Sequence, residues 1–212
     1  MFLRSLALLL LLFVYSGCGD SSSTDGDNST TNGTGDDATS DDAIGDDSQA
    51  DDAKTFEKDG TSAVVATWKE TQEYVGKQKG KVVVLDAWST SCAPCMTEYP
   101  HLVALHKKYP ERVACVSFNL NYYGVSPPES DSGKILDFLA KQKSALHNVI
   151  SSTPDEDFYK TVDLGSIPAV FVYGPDGKLK KRFDNDSLEF GEDGFTYEKH
   201  IIPLIEELLS EK

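Results

Sequence analysis

Two cysteines stand two residues apart in the stretch Trp88-Ser89-Thr90-Ser91-Cys92-Ala93-Pro94-Cys95, directly after the apolar run Val82-Val83-Val84-Leu85. A strand that feeds a helix at this point puts the first sulfur among unpaired backbone N–H groups, at the positive end of a helix dipole, which lowers a thiol pKa. A thiolate beside a second cysteine can attack a disulfide and then resolve the mixed disulfide, so the spacing suits dithiol chemistry. Cys92, at the helix start, is the expected nucleophile, and Cys95, one turn in, resolves. A structural disulfide and half of a zinc site are the other readings of the pair. Zinc requires further ligands with matching spacing. The remaining cysteines are Cys18 near the amino terminus and Cys115 inside an apolar run, where it reads as a small core residue. No metal site and no cofactor are expected.

Three more positions belong to the same chemistry. Asp86 lies six residues before Cys92, on the strand face of Val82, Val84 and Trp88. Buried there, its carboxyl pKa would be raised by desolvation, so that it could exchange a proton with Cys95 near neutral pH; at an exposed strand end it would be an ordinary aspartate. Ile167-Pro168 precedes the apolar run Ala169-Val170 and on its own reads as an ordinary strand entry, the cis form being rare among X–Pro bonds. Glu98, one turn after Cys95, either tunes the site or is an exposed helix residue. His101, His106, His147 and His200 have no mutual spacing for metal binding or catalysis and read as surface residues.

The elements that must hold these residues follow from local patterns. Thr67-Trp68-Lys69-Glu70 is a capping box opening a helix to about Lys79, with Gly80 as its stop. Lys81 to Trp88 reads as a buried strand, its valines and leucine continuous rather than alternating, as in a sheet covered on both faces. Cys92 to Tyr109 is a long helix with Met96, Tyr99, Leu102, Val103 and Leu105 on its apolar face and Pro100 expected to bend it. Arg112 to Leu120 is a second buried strand. A helix over Gly133 to Ser144, a strand over His147 to Ser151 and a helix over Asp155 to Val162 follow. Ala169 to Tyr173 and Lys178 to Phe183 flank Gly174-Pro175-Asp176-Gly177, the mark of an antiparallel hairpin. A last helix spans about Thr196 to Ser210, with Pro203 expected to kink it. The sum is an α/β sandwich around a mixed central sheet.

These elements and motifs resemble a thioredoxin fold, and within that superfamily the TlpA/ResA-like group of membrane-tethered thiol-disulfide oxidoreductases. Cys92-Ala93-Pro94-Cys95 matches the group's C-x-P-C, Glu98 and Pro100 match its C-x-x-E-x-P continuation, and residues 121–160 occupy the place of its central insertion. The resemblance covers about residues 65–210. It implies that Pro168 is cis and faces the disulfide beside Ile167, exposing a backbone edge to substrate. It also implies that Trp88 belongs to the substrate-binding approach strand and that Asp86 is the buried proton-transfer group. In one departure, Ser91 stands where most of the superfamily has Trp before the first cysteine, which should expose Cys92 more. The group mostly supplies electrons, for example to apocytochrome c, so reduction of protein disulfides, fed by a membrane-associated electron donor, is the expected direction. A copper-binding chaperone of the Sco type would want a CxxxC pair and a placed histidine. A peroxide reductase would want Pro-x-x-x-Thr-x-x-Cys. A non-catalytic binding module is the remaining alternative.

The amino-terminal quarter of the 212-residue chain is of another kind. Arg4, the apolar run Leu6 to Tyr15 and Ser16-Gly17 form a secretory signal, since ten apolar residues are too few for a bilayer span of roughly 20. Cys18 after Gly17 resembles the acylated cysteine of a bacterial lipoprotein, with Tyr15 where that signal usually has an aliphatic residue. From Gly19 to Ala53 there are eleven aspartates and no lysine or arginine, a composition that cannot offset its ordering entropy. The organisation expected is therefore signal 1–18, acidic tether 19–55 with an end-to-end distance of roughly 30 Å, and a thioredoxin-like domain 56–212. The eleven aspartates account for most of the net charge of −15. The remainder, 24 acidic against 19 basic residues from 54 onward, offers nothing to nucleic acid. An extracytoplasmic, membrane-anchored monomer acting on protein dithiols and disulfides is the reading that results. If Cys18 carries the anchor, Cys18→Ser should release a soluble, active domain; an unmodified Cys18 on the mature protein, read by mass spectrometry, would contradict this.

Overall fold

The computed structural model describes residues 54–211. The signal, Cys18 and most of the tether lie outside the described residues. A seven-stranded sheet runs in the order β1-β2-β5-β4-β3-β6-β7. Its strands are β1 Thr55–Lys58, β2 Thr61–Ala66, β3 Val82–Trp88, β4 Val113–Asn119, β5 His147–Ser151, β6 Ala169–Tyr173 and β7 Leu179–Phe183. The run β2, β5, β4, β3 is parallel, and antiparallel pairs close both edges: β1 on β2, and β6 and β7 beyond β3. This is the mixed sheet expected from the sequence.

Five helices cover it: α1 Trp68–Lys77, α2 Ala93–Lys108, α3 Ser132–Lys141, α4 Asp155–Val162 and α5 Ile202–Ser210. Alternation along β3 divides the core. Val82, Val84 and Trp88 point to the layer of Tyr99, Leu102, Ile135, Tyr197 and Ile205, contributed by α2, α3 and the carboxy-terminal segment. Val83, Leu85 and Ala87 point to the layer of Val75 and Phe158, under α1 and α4. All seven residues of β3 are buried, which makes it the rigid base on which the dithiol loop is built.

Three features depart from the sequence reading. The β1–β2 hairpin was not expected, and it starts at Thr55, one residue inside the stretch assigned to the tether. Its signal was present: Asp59-Gly60 adopts φ of 49° and 75°, the two-residue turn that favours Asp-Gly. The short strand before it carries Phe56 as its one large apolar residue, too little for a periodic pattern. The carboxy-terminal helix is two segments, a π turn Tyr197–Ile201 followed by α5. Pro203 has no N–H to offer the preceding turn, and the Ile202 N–H reaches back five residues to the Tyr197 carbonyl instead. The four histidines, expected on the surface, are half-buried. His147 stacks on Tyr74 at 3.6 Å, and His200 Nδ1 accepts the Thr196 N–H at 3.0 Å.

α1 begins with the complete capping box. The Glu70 N–H donates to Thr67 Oγ1 at 3.2 Å, and the Thr67 N–H donates to Glu70 Oε2 at 2.7 Å. Thr67→Ala should therefore cost about 1 kcal/mol of folding stability, measured by denaturant unfolding. A loss indistinguishable from zero would mean the box contributes nothing beyond the packing of Trp68.

Candidate active site

The parallel strands β3 and β4 end side by side, with Trp88 opposite Asn119. The chain then turns through Ser89–Ser91 into α2, whose N-cap is Cys92, with φ −91° and ψ 96°. Its Sγ accepts the Cys95 N–H at 3.3 Å, one of the donors a helix start leaves unpaired. Pro94 sits in the first turn, where its missing N–H costs nothing. Cys92 and Cys95 are joined in a disulfide with Cα atoms 5.3 Å apart. Their exposures differ. Cys92 is half-buried at the rim, whereas Cys95 is 2% exposed and packed in the core.

Cys92 opens on a groove of about 470 Å³, walled by Ser91, Pro94, Tyr123, Tyr159 and Ile167. Ser91 is exposed and lines the same groove. The Ile167–Pro168 bond is cis. Pro168 leads into Ala169, which pairs with Ala87 of β3, so this loop and the dithiol loop leave neighbouring strands. Trp88, by contrast, was expected to face substrate and does not. It is fully buried, donates from Nε1 to Ser117 Oγ at 2.8 Å and packs against Tyr99 and Phe138, so it is a core residue beneath the site.

Asp86 is 3% exposed on the face of Val84 and Trp88, the layer that also contains Cys95. Burial raises its pKa from 3.8 to about 7; the hydroxyl of Tyr197 opposes that rise and the charge of Glu98 adds to it. Tyr197 donates to Asp86 Oδ2 at 2.7 Å, while Oδ1 has no hydrogen-bond partner. Cys115 is a free thiol buried in the core, and burial pushes its pKa far above the ordinary range.

Two groups at the site escaped the sequence reading. Tyr197 stands about a hundred residues away in a segment whose pattern announces only an amphipathic helix. Asn121 clamps the dithiol loop. Its Oδ1 accepts the Thr90 N–H at 2.9 Å, and its Nδ2 donates to Thr90 Oγ1 and to Asp131 Oδ2, both at 2.7 Å. A polar residue just past a strand end carries no such signal in one sequence. Among the described residues, no three His, Cys, Asp or Glu side chains lie close enough to hold a metal ion.

The AhpC/TSA family matches residues 50–182. The chain belongs to the AhpC/TSA family. Among curated relatives of this family member, it is 26% identical over 113 residues to the thiol-disulfide oxidoreductase ResA of Bacillus subtilis, covering 49% of this chain and 52% of ResA. It is 35% identical over 106 residues to the chloroplastic protein SUPPRESSOR OF QUENCHING 1 of Arabidopsis thaliana, 48% of this chain but 9% of that one. The chain thus spans about half of one relative and a small part of the other. Among solved structures, a thiol-disulfide isomerase from Corynebacterium glutamicum superposes with a TM-score of 0.50 at 19% identity, over 64% of this chain and 84% of that one. The fold is thioredoxin-like, as expected from the motifs.

The raised pKa of Asp86 gives a stability test. Between pH 3.8 and about 7 the folded chain holds the Asp86 proton that the unfolded chain releases, so this residue costs stability progressively as pH rises through that window. The full cost above it is on the order of 4 kcal/mol, from about 1.4 kcal/mol per pH unit. Asp86→Asn should therefore be more stable than the native chain at pH 8, with the advantage shrinking toward pH 4, measured by denaturant unfolding across pH. An advantage independent of pH would mean that Asp86 titrates normally.

Proposed function

We propose that this chain is an extracytoplasmic thiol-disulfide oxidoreductase that reduces disulfides in protein substrates through Cys92 and Cys95. The observation that carries this reading is the pairing of a rim-exposed Cys92 at a helix N-terminus with a buried Cys95, both in the layer of a carboxyl that titrates near neutrality. In the reduced state the Cys92 thiolate attacks one sulfur of a substrate disulfide, and the other substrate sulfur leaves as a thiolate. Cys95 passes its proton to Asp86, and its sulfur attacks Cys92 Sγ. The Cys92–substrate bond breaks, the second substrate sulfur departs as a thiolate, and the Cys92–Cys95 disulfide remains. Two electrons have moved to the substrate, and the two sulfurs carry them without a cofactor.

The groove supplies the rest. A peptide lying across Ile167 and the edge before Ala169 would bring its sulfur to Cys92, with Tyr123 and Tyr159 as aromatic walls. Regeneration of the dithiol calls for a reductant of the same dithiol class, which we place at the membrane. There an acylated Cys18 and the acidic tether would hold the domain near membrane-associated partners and raise their effective concentration. The likeness to ResA supports the reaction class. The peroxide-reducing alternative is disfavoured by Leu85 and Ser89, which stand where its Pro and Thr are required. The copper alternative is disfavoured by the CxxC spacing.

Cys92→Ser should abolish insulin reduction, whereas Cys95→Ser should accumulate mixed disulfides with substrate, detected by mass spectrometry under non-reducing conditions. Full turnover by Cys95→Ser, or tight copper binding without insulin reduction by the native chain, would overturn the proposal.

A further inference from the structure

The acid at the dithiol is held from the far end of the chain. Tyr197 is fully buried at the first position of the π turn. Its hydroxyl donates to Asp86 Oδ2 at 2.7 Å, and its backbone N–H donates to Glu98 Oε2 at 2.9 Å. One residue thus grips two carboxyl groups, one on β3 and one on α2 three residues past Cys95. The turn itself is pinned by Thr196, whose Oγ1 accepts the Lys199 N–H at 3.3 Å and whose N–H donates to His200 Nδ1 at 3.0 Å. The His101 ring stacks on Tyr197 with centroids 6.2 Å apart. A phenylalanine would fill the same space, so the hydroxyl has a purpose apart from packing. It satisfies one oxygen of a buried carboxyl and leaves the other, Oδ1, without a partner.

We propose that Tyr197 is the positioning residue for proton transfer at this site: it anchors Asp86 through Oδ2, so that Oδ1 is the atom that takes the Cys95 proton, and it ties Glu98 to the same network. This rests on the exchange function proposed above. As Cys95 Sγ attacks Cys92 Sγ, the S–H proton moves to Asp86 Oδ1 and the electron pair of the Cys92–substrate bond leaves on the substrate sulfur. Asp86 then returns its proton to Cys95 when the dithiol is restored. The titratable groups near Asp86 are Tyr197 from the π turn, Glu98, Tyr99 and Cys95 from α2, and Cys115 from β4; β6 places only Val170 beside it. No cation stands among them, so the Tyr197 hydroxyl is the group in this set that favours the charged carboxylate.

Removing that hydroxyl should raise the Asp86 midpoint. In Tyr197→Phe, the midpoint read from the 13C carboxyl shift of Asp86, assigned with Asp86→Asn, should rise by about one pH unit or more. The pH dependence of mixed-disulfide resolution should move by the same amount. In the Asp86→Asn background, Tyr197→Phe should leave that profile unchanged. Should the Phe variant fail to fold, 3-fluorotyrosine at position 197, a stronger donor of the same shape, should move the midpoint down. An unmoved carboxyl midpoint in a folded variant, or a profile shifted equally without Asp86, overturns the positioning role. A native chain that exchanges no disulfides overturns the function instead, and the carboxyl titration then still tests the Tyr197–Asp86 bond by itself.

Discussion

The Cys95 N–H that donates to Cys92 Sγ exists because α2 begins where β3 ends, and the reactivity of the site depends on that junction. β3 is buried along its whole length and paired on both sides, so its carboxy-terminal end is fixed in space. A helix started from so rigid a base presents unpaired N–H groups in one direction, and the first cysteine is set among them. The neighbouring strands then determine what else reaches the sulfur. β4 delivers the Asn121 clamp on the dithiol loop, and β6 begins at the cis Ile167–Pro168 bond.

A second constraint runs against stability. A carboxyl at 3% exposure in an apolar layer is costly when charged, and the sheet accommodates it with one hydroxyl and, among the described residues, no cation paired with it. That arrangement suits the proton-transfer role proposed for Asp86, because a carboxylate at its ordinary pKa would be a poor base for a thiol. Asp86, Tyr197 and Glu98 come from the middle and the end of the chain, so this chemistry is assembled by the tertiary fold and by the π turn in particular.

Much of this was legible in the residue order. The continuous apolar run Val82 to Leu85 announced a doubly covered strand, Thr67 and Glu70 announced α1, and CxxC after the strand announced a dithiol at a helix start. Asp86 could be assigned a face by alternation alone. Trp88 shows the limit of that method. Alternation placed it on the same face as Asp86 but could not tell that α2 and α3 would seal it from substrate. Tyr197 and Asn121 were invisible because their roles are long-range hydrogen bonds, which have no period. The π turn was hidden in a helical pattern, and the β1–β2 hairpin was carried by one Asp-Gly pair beside a polar stretch.

The central claim, that Cys92 and Cys95 form a working redox couple and not a staple, is tested most directly by equilibrating the protein with glutathione buffers and following both cysteines by alkylation and mass. The account predicts one reversible two-electron transition confined to this pair, with a midpoint above about −300 mV, the region of catalytic dithiols. A disulfide that stays closed below that potential, as structural bridges do, would contradict it.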